Sequence, residues 1–195
     1  VCGLSLGEYS ALSAAGVFDP ETAIQVVRER GLAMEKAAEG VESAMMAILG
    51  LEREPLLNIC VGCDGYVSIA NYNCPGQLVI AGEKKAVEEA GQKALDHGAR
   101  RAVPLNTSGP FHTKLLKDAS TRLHEVFKNV KFHEMNVPVI FNCTGKELEN
   151  CSVQDMLEKQ VMSPVYFEDS IRTMINNGVD TMIEIGPGKV LSGFV

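Results

Sequence analysis

The segment Gly3-Leu4-Ser5-Leu6-Gly7 places a serine between two glycines in the pattern GxSxG. This pattern is typical of a nucleophile elbow, a sharp turn between a strand and a helix in α/β proteins, whose glycines relieve crowding. The small residues from Leu6 to Ala15 favour the helix. Ser5 would then lie at a helix N-terminus, where the backbone N–H of Leu6 and the helix dipole can stabilise an oxyanion. The pentapeptide alone is weak evidence, which the following helix strengthens.

Beyond the elbow, hydrophobic periodicity predicts a second helix from Pro20 to about Ala38, with Asp19 as its N-cap. Residues 44–104 then follow the order strand, helix, strand, strand, helix, strand. This order is the ferredoxin-like split βαβ pattern, which can form a compact α+β unit by itself. We therefore expect residues 43–105 to form an inserted ferredoxin-like subdomain.

The rest of the chain, residues 1–42 and 106–195, is expected to form an α/β, hydrolase-like core with a mostly parallel sheet. Buried strands are predicted at Val137–Asn142 and Thr181–Ile185, and the turn Gly186-Pro187-Gly188 is predicted to open a final helix. Because the chain begins directly before the elbow, we also expect that an upstream part of this core is missing.

The composition argues against several classes of function. The 195 residues carry a net charge of −7, whereas nucleic-acid binding needs a concentrated basic surface. No apolar run approaches the roughly 20 residues that cross a bilayer, and no signal peptide is recognisable. The six cysteines are sparse, and the pair Cys60 and Cys63 has no second pair at zinc spacing. We expect a soluble, cytoplasmic protein with free thiols and no metal.

A serine nucleophile needs a base within hydrogen-bond reach, and the sequence offers four histidines. His97 precedes a glycine at a helix end, where histidine commonly caps carbonyl groups, and His133 lies in a polar stretch. His124 shares the polar face of its helix and is expected to be solvated. His112 follows a proline-containing loop and begins a helix, so its ring can be aimed at Ser5. Catalysis and helix capping remain equally good interpretations of His112.

Arg30 is unusual because it falls on the apolar face of its predicted helix. Its neighbours on that face are Ala23, Val27, Met34 and Ala37. Burying an unpaired cation is costly, and a guanidinium pairs best with a planar carboxylate through two hydrogen bonds. Two interpretations remain open: a buried protein acid supplies that carboxylate, or a substrate does.

Five motifs lie in order along the whole chain: Gly3-Leu4-Ser5-Leu6-Gly7-Glu8-Tyr9, Arg30-Gly31, Asn71-Tyr72-Asn73-Cys74-Pro75-Gly76-Gln77, Gly109-Pro110-Phe111-His112 and Gly186-Pro187-Gly188-Lys189-Val190-Leu191. Together they resemble the malonyl-CoA:acyl carrier protein transacylase family of bacterial fatty-acid synthesis, and acyltransferase domains of larger synthases share the pattern. Five linked motifs are far more specific than any one of them. The resemblance implies an acyltransferase that requires neither a metal nor a redox cofactor.

Carried over residue by residue, the resemblance implies that Ser5 is the nucleophile, His112 its general base and Arg30 a bidentate clamp on the malonyl carboxylate. It also implies that Gln160 orients the imidazole through its backbone carbonyl and that the Leu6 N–H is one oxyanion donor. The family's other donor, a glutamine in a Gly-Gln-Gly motif, belongs to the segment expected to be missing.

The resemblance assigns four further residues to substrate binding. Phe111 resembles the malonyl-selective version of the family, in which an aromatic ring leaves little room for a branched acyl group. Leu4 stands where the family often has histidine, beside the nucleophile. Asn71 and Asn73 match a family loop that faces the cleft between subdomains, although a turn role before Pro75-Gly76 accounts for them equally well.

The implied reaction is ping-pong: Ser5 takes the malonyl group from coenzyme A and passes it to the pantetheine thiol of an acyl carrier protein. An acidic carrier protein would need a basic patch, for which Lys114, Lys117 and Lys189 are candidates, although each could simply be a solvated surface charge. A monomer is expected. The alternatives are a serine esterase or thioesterase, which would gain nothing from Arg30, and a catalytically inert fragment of the transferase.

Overall fold

The computed structural model describes all 195 residues. The elements, in chain order, are α1 (Leu6–Ala14), α2 (Pro20–Ala38), β1 (Ser43–Leu49), α3 (Arg53–Val61), β2 (Val67–Cys74), β3 (Gln77–Glu83), α4 (Lys84–Asp96), β4 (Arg101–Leu105), a 3-10 turn (Lys114–Leu116), α5 (Lys117–Phe127), α6 (Val153–Gln160), β5 (Val165–Tyr166) and α7 (Phe167–Asn176). The predicted start of α2 is confirmed, because the Asp19 carboxylate accepts a hydrogen bond from the Thr22 N–H.

The five strands form one mixed sheet in the order β4-β1-β3-β2-β5. Strand β1 pairs antiparallel with β3 and β4, β2 pairs antiparallel with β3, and only β2 and β5 pair in parallel. Side chains alternate across β1, so that Met46 and Ile48 face α3 and α4 while Met45 belongs to a small cluster that contacts Phe111. The α/β class is confirmed. The mostly parallel sheet was predicted for residues 1–42 and 106–195, which contribute only β5 to this sheet, so that prediction is not confirmed.

Two predicted core strands are also absent. Residues 137–142 make only isolated bridges, from Ile140 to Cys2 and from Phe141 to Lys146. Residues 181–185 pair with no other segment, and Ile185 is 92% exposed. A strand needs a neighbour that satisfies its backbone groups, and the backbone of residues 181–185 makes no hydrogen bond to another segment. The helix predicted after Gly188 is instead a series of turns.

The largest buried cluster joins α1, α2, α5 and α6, and a second cluster lies between the sheet and helices α3 and α4. Because α1 begins directly after Ser5, this packing fixes the position of the elbow relative to α2 and α6. None of the helices combines the length and the apolar composition needed to cross a bilayer.

Arg53, the first residue of α3, connects the sheet unit to α7. Its guanidinium lies 2.7 Å from both the Glu168 and the Asp169 carboxylates. It also lies 4.8 Å from the centre of the Tyr72 ring, and this ring stacks on Tyr166. The charges are partly shielded from water, so these contacts should stabilise the packing of α3 against α7.

Replacement of Arg53 by Ala is expected to lower the free energy of unfolding by about 1–2 kcal/mol, since two charge-assisted contacts and a cation–π contact are lost at a partly exposed site. Urea denaturation followed by circular dichroism measures this change. Lys128→Ala is the control, because Lys128 pairs with Glu125 where both side chains are more than half exposed. Equal effects of the two substitutions would contradict a stabilising role for Arg53.

Candidate active site

The elbow places Ser5 in a strained backbone conformation, with φ of 52°. Gly3 permits this turn, because a Cβ atom there would overlap the carbonyl oxygen of Gly7. Gly7 itself has open space around the position of a Cβ atom, so the pattern's second glycine is not required by contacts within this chain. The expectation that both glycines relieve crowding therefore holds only for Gly3.

The structure brings together Ser5, His112 and Gln160, which are far apart in sequence. The Ser5 Oγ lies 2.7 Å from His112 Nε2, and His112 Nδ1 lies 2.9 Å from the Gln160 carbonyl oxygen. A carbonyl oxygen can only accept, so Nδ1 carries the proton and the neutral ring presents Nε2 as an acceptor to the Ser5 hydroxyl. His112 itself has a φ of 61°, a second strained residue at the same place.

Burial lowers the pKa of His112 from its usual 6.5 to about 4. Desolvation is the main cause, the hydrogen bond to the Gln160 carbonyl opposes it, and the nearby Arg30 cation adds to the lowering. The imidazole is therefore neutral at physiological pH, which is the state a general base requires.

Arg30 projects from α2 to the same point. It is 6% exposed, and its Nη2 atom donates to the Ser5 Oγ at 2.9 Å and to the Gln160 Oε1 at 3.1 Å. Arg30 makes no salt bridge within the chain, and its Nε atom is buried without a partner. The sequence left two interpretations of Arg30. The structure shows no protein carboxylate within hydrogen-bonding distance of Arg30, so it does not support the pairing with a protein acid.

Glu8 is the acid that could have neutralised Arg30. It is fully buried, and burial raises its pKa to about 8, against the lowering effects of the Asn142 N–H and of Arg30. The raised pKa favours the neutral carboxyl form, which weakens Glu8 as a counter-ion for Arg30.

The Leu6 N–H makes no hydrogen bond, as is usual for the first residue of a helix, and lies next to the Ser5 hydroxyl. An open cavity of about 540 Å³ reaches Ser5, and its lining also includes Arg30 and Phe111. The site thus combines a hydroxyl paired with a neutral base, a cation without a salt bridge and, on the residue after Ser5, a backbone N–H without an acceptor. This combination can support acyl transfer from a substrate that carries a carboxylate.

The other predicted substrate residues lie elsewhere. Leu4 packs against the cluster that includes Val165 and Phe167, away from the cavity lining. Asn71 and Asn73 lie within β2 rather than in a turn, both are buried, and neither hydrogen-bonds to the site residues. The Asn73 Oδ1 atom has no partner.

The remaining polar candidates lie at the surface. His97 caps the Lys93 carbonyl at the end of α4, and His124 lies 3.0 Å from the Glu158 carboxylate. Lys114 contacts the ring of Tyr66, and the other two lysines proposed for docking, Lys117 and Lys189, are exposed.

Residues 1–194 match the sequence family described as acyl transferase domain. The chain belongs to this family. This acyl transferase domain is 48% identical to malonyl CoA-acyl carrier protein transacylase of Bacillus subtilis (strain 168) and 41% identical to the protein of the same name from Haemophilus influenzae (strain ATCC 51907 / DSM 11121 / KW20 / Rd). In both cases 99% of the chain is aligned, and it spans 62% and 63% of those relatives' lengths.

The acyl transferase domain also matches solved structures of proteins described as malonyl transferases. The acyl-carrier-protein S-malonyltransferase from Burkholderia pseudomallei 1710b matches with a TM-score of 0.96 at 38% identity, over 100% of this chain and 64% of that one. A chain in the structure of a type II PKS acyl-carrier protein in complex with its malonyl-transacylase matches with a TM-score of 0.95 at 40% identity. The match covers 99% of this chain and 63% of that one.

Sequence reasoning about this acyl transferase domain missed three buried polar side chains around the elbow: Glu8, Asn142 and the amide of Gln160. The Gln160 Nε2 atom donates to the Ser5 carbonyl oxygen at 2.9 Å while its Oε1 atom accepts from Arg30. The available signal was a polar residue within an apolar run, as at Asn142 after Val139, Ile140 and Phe141. Their hydrogen-bond partners could not be read from the sequence.

Proposed function

We propose that this chain transfers a malonyl group from coenzyme A to the pantetheine thiol of an acyl carrier protein, through a malonyl ester on Ser5. The observation that supports this function best is Arg30, a buried guanidinium without a salt bridge that donates to the Ser5 hydroxyl. A substrate carboxylate would give Arg30 the planar partner it lacks. An esterase for neutral acyl groups has no use for such a cation.

In the first half-reaction, the Ser5 Oγ attacks the thioester carbonyl while its proton moves to His112 Nε2. The Gln160 carbonyl holds the imidazole through Nδ1–H and stabilises the imidazolium that forms. The Leu6 N–H donates to the oxyanion of the tetrahedral intermediate. When the intermediate collapses, the coenzyme A thiolate leaves and takes the proton from His112.

In the second half-reaction, the thiol of the carrier protein gives its proton to His112 and attacks the malonyl ester. The serine oxygen then leaves and is reprotonated, which restores the site. Phe111 lines the cavity and restricts the acyl group, and we retain Leu4, Asn71 and Asn73 as substrate-binding candidates on the resemblance alone. Neither half-reaction calls for a metal or a redox cofactor.

We also propose that residues 43–105 form a ferredoxin-like subdomain on a hydrolase-like core made of residues 1–42 and 106–195. The antiparallel order β4-β1-β3-β2, with α3 and α4 packed on one face, supports this division. The carrier protein would bind near the exposed lysines Lys114, Lys117 and Lys189. The enzyme would be a monomer, and its reaction would supply fatty-acid synthesis in the cytoplasm.

Mass spectrometry of the chain after mixing with malonyl-CoA tests this proposal. A stable adduct of one malonyl group, absent from Ser5→Ala, is the expected result. Rapid turnover to free malonate would favour the thioesterase. The absence of an adduct would sink the transferase assignment for this chain and favour an inert fragment.

The rate of Ser5 acylation should stay nearly constant from pH 8 down to about pH 5 and fall below that with a midpoint near 4. The lowered pKa of His112 is the reason, since the ring remains neutral and able to accept a proton until its own pKa is reached. Quenched-flow mass spectrometry with limiting malonyl-CoA measures this profile, and circular dichroism at each pH controls for acid unfolding. A midpoint near 6.5 would contradict the buried-base geometry.

A further inference from the structure

Asn142 is a fully buried residue that hydrogen-bonds on both sides of the nucleophile. Its Oδ1 atom accepts from the Ser5 N–H at 2.6 Å, and its Nδ2 atom donates to the Gly3 carbonyl oxygen at 2.7 Å. One side chain therefore spans the turn of the elbow, contacting the backbone at Ser5 and two residues before it.

The backbone of Asn142 is held as firmly as its side chain. Its N–H donates to the buried carboxyl group of Glu8, one turn into α1, and its carbonyl oxygen accepts from the Tyr166 N–H at 2.8 Å. The residue is thus fixed between α1 and β5, and its amide has little freedom to move away from Ser5.

The two backbone N–H groups at the elbow differ in whether they have an acceptor. Two adjacent N–H groups, those of Ser5 and Leu6, lie at the start of α1, where either could face an oxyanion. Asn142 occupies the Ser5 N–H and stabilises the positive φ of that residue, whereas the Leu6 N–H stays unpaired. Because the Asn142 Oδ1 atom accepts from the Ser5 N–H, only the Leu6 N–H remains available to an oxyanion.

We propose that Asn142 is a positioning residue for acyl transfer: by binding the Ser5 N–H and the Gly3 carbonyl it holds the strained elbow so that Ser5 Oγ faces His112 and the Leu6 N–H is free for the oxyanion. The inference concerns the geometry of the nucleophile and rests on the proposed function only for its effect on rate.

Amide hydrogen exchange of the unmodified chain, followed by NMR, tests the geometry without any activity. The Ser5 N–H is expected to exchange at least about tenfold more slowly than the Leu6 N–H, since only the former has a buried acceptor. Equal exchange at the two amides overturns the proposal, whether or not the chain transfers malonyl groups.

Labelling of Ser5 by a fluorophosphonate, which needs an activated serine but no malonyl recognition, tests the effect on rate. Asn142→Ala is expected to lower the maximal labelling rate by on the order of 100-fold with little change in the half-saturating reagent concentration. Ser170→Ala is the matched control, because Ser170 is equally buried and its hydroxyl donates to the Tyr166 carbonyl rather than to the backbone of Ser5 or Gly3. It should label within about threefold of the unmodified chain.

Melting temperatures of both variants separate positioning from general destabilisation. If both variants show a similar fall in melting temperature but only Asn142→Ala labels slowly, the positioning role is supported. If folded Asn142→Ala labels at the rate of the unmodified chain, the proposal is overturned. If Asn142→Ala does not fold, the exchange measurement decides. No labelling of the unmodified chain would count against the proposed function, while the exchange result would still judge the elbow.

Discussion

Replacing Arg30 by alanine is expected to lower kcat/KM for malonyl-CoA by roughly 100-fold or more, because a buried, doubly hydrogen-bonded charge pair with the substrate would be lost. Acetyl-CoA has no carboxylate that could pair with Arg30, so the ratio of acetyl to malonyl transfer should rise in the variant. Steady-state rates with both thioesters and a holo acyl carrier protein measure this shift.

Two further variants make the Arg30 result interpretable. Arg122→Ala removes an arginine that is 60% exposed and pairs with Glu29 at the surface, and both rates should stay unchanged. Arg30→Lys keeps the charge but not the planar fork, so it should recover only part of the malonyl rate. Equal losses with malonyl and acetyl groups in Arg30→Ala would indicate that Arg30 serves only to hold Ser5 and Gln160, and the malonyl assignment would fail.

Replacing His112 by alanine is expected to slow acylation of Ser5 by roughly 100- to 10,000-fold, the range usual for loss of a general base. The Ser5 hydroxyl would keep its hydrogen bond from Arg30, which cannot remove a proton, so malonyl-CoA should still bind with similar affinity. Single-turnover rates of adduct formation at increasing malonyl-CoA concentration separate the two quantities.

His124→Ala is the control for this variant, since His124 is 54% exposed and its hydrogen-bond partner is Glu158 at the surface. It should acylate at the unmodified rate. A small effect of His112→Ala, or an equal effect of both substitutions, would contradict the assignment of His112 as the base. Helix capping, the other interpretation of His112, would predict a loss of stability without a specific loss of the chemical step.

The local pattern predicted much of the secondary structure. The capping signal at Asp19, the periodicity of α2 and the alternation over residues 44–104 all correspond to elements in the structure. These signals work because hydrogen bonds and side-chain spacing within a helix or hairpin involve residues close in sequence. The strand predictions for residues 137–142 and 181–185 were wrong because a strand forms only beside a neighbouring strand. The pattern of a single segment does not identify that neighbour.

The sequence by itself identified candidate residues for the chemistry: a serine in an elbow pattern, a histidine after a stiff loop and an arginine on an apolar helix face. Only the tertiary structure decided the orientation and protonation of these groups. Burial and the Gln160 carbonyl make His112 a neutral acceptor, and no protein carboxylate hydrogen-bonds to Arg30. Asn142 hydrogen-bonds to Ser5, from which it is separated by 137 positions in the sequence. These effects depend on desolvation and on contacts between distant segments, which folding creates and no local pattern encodes.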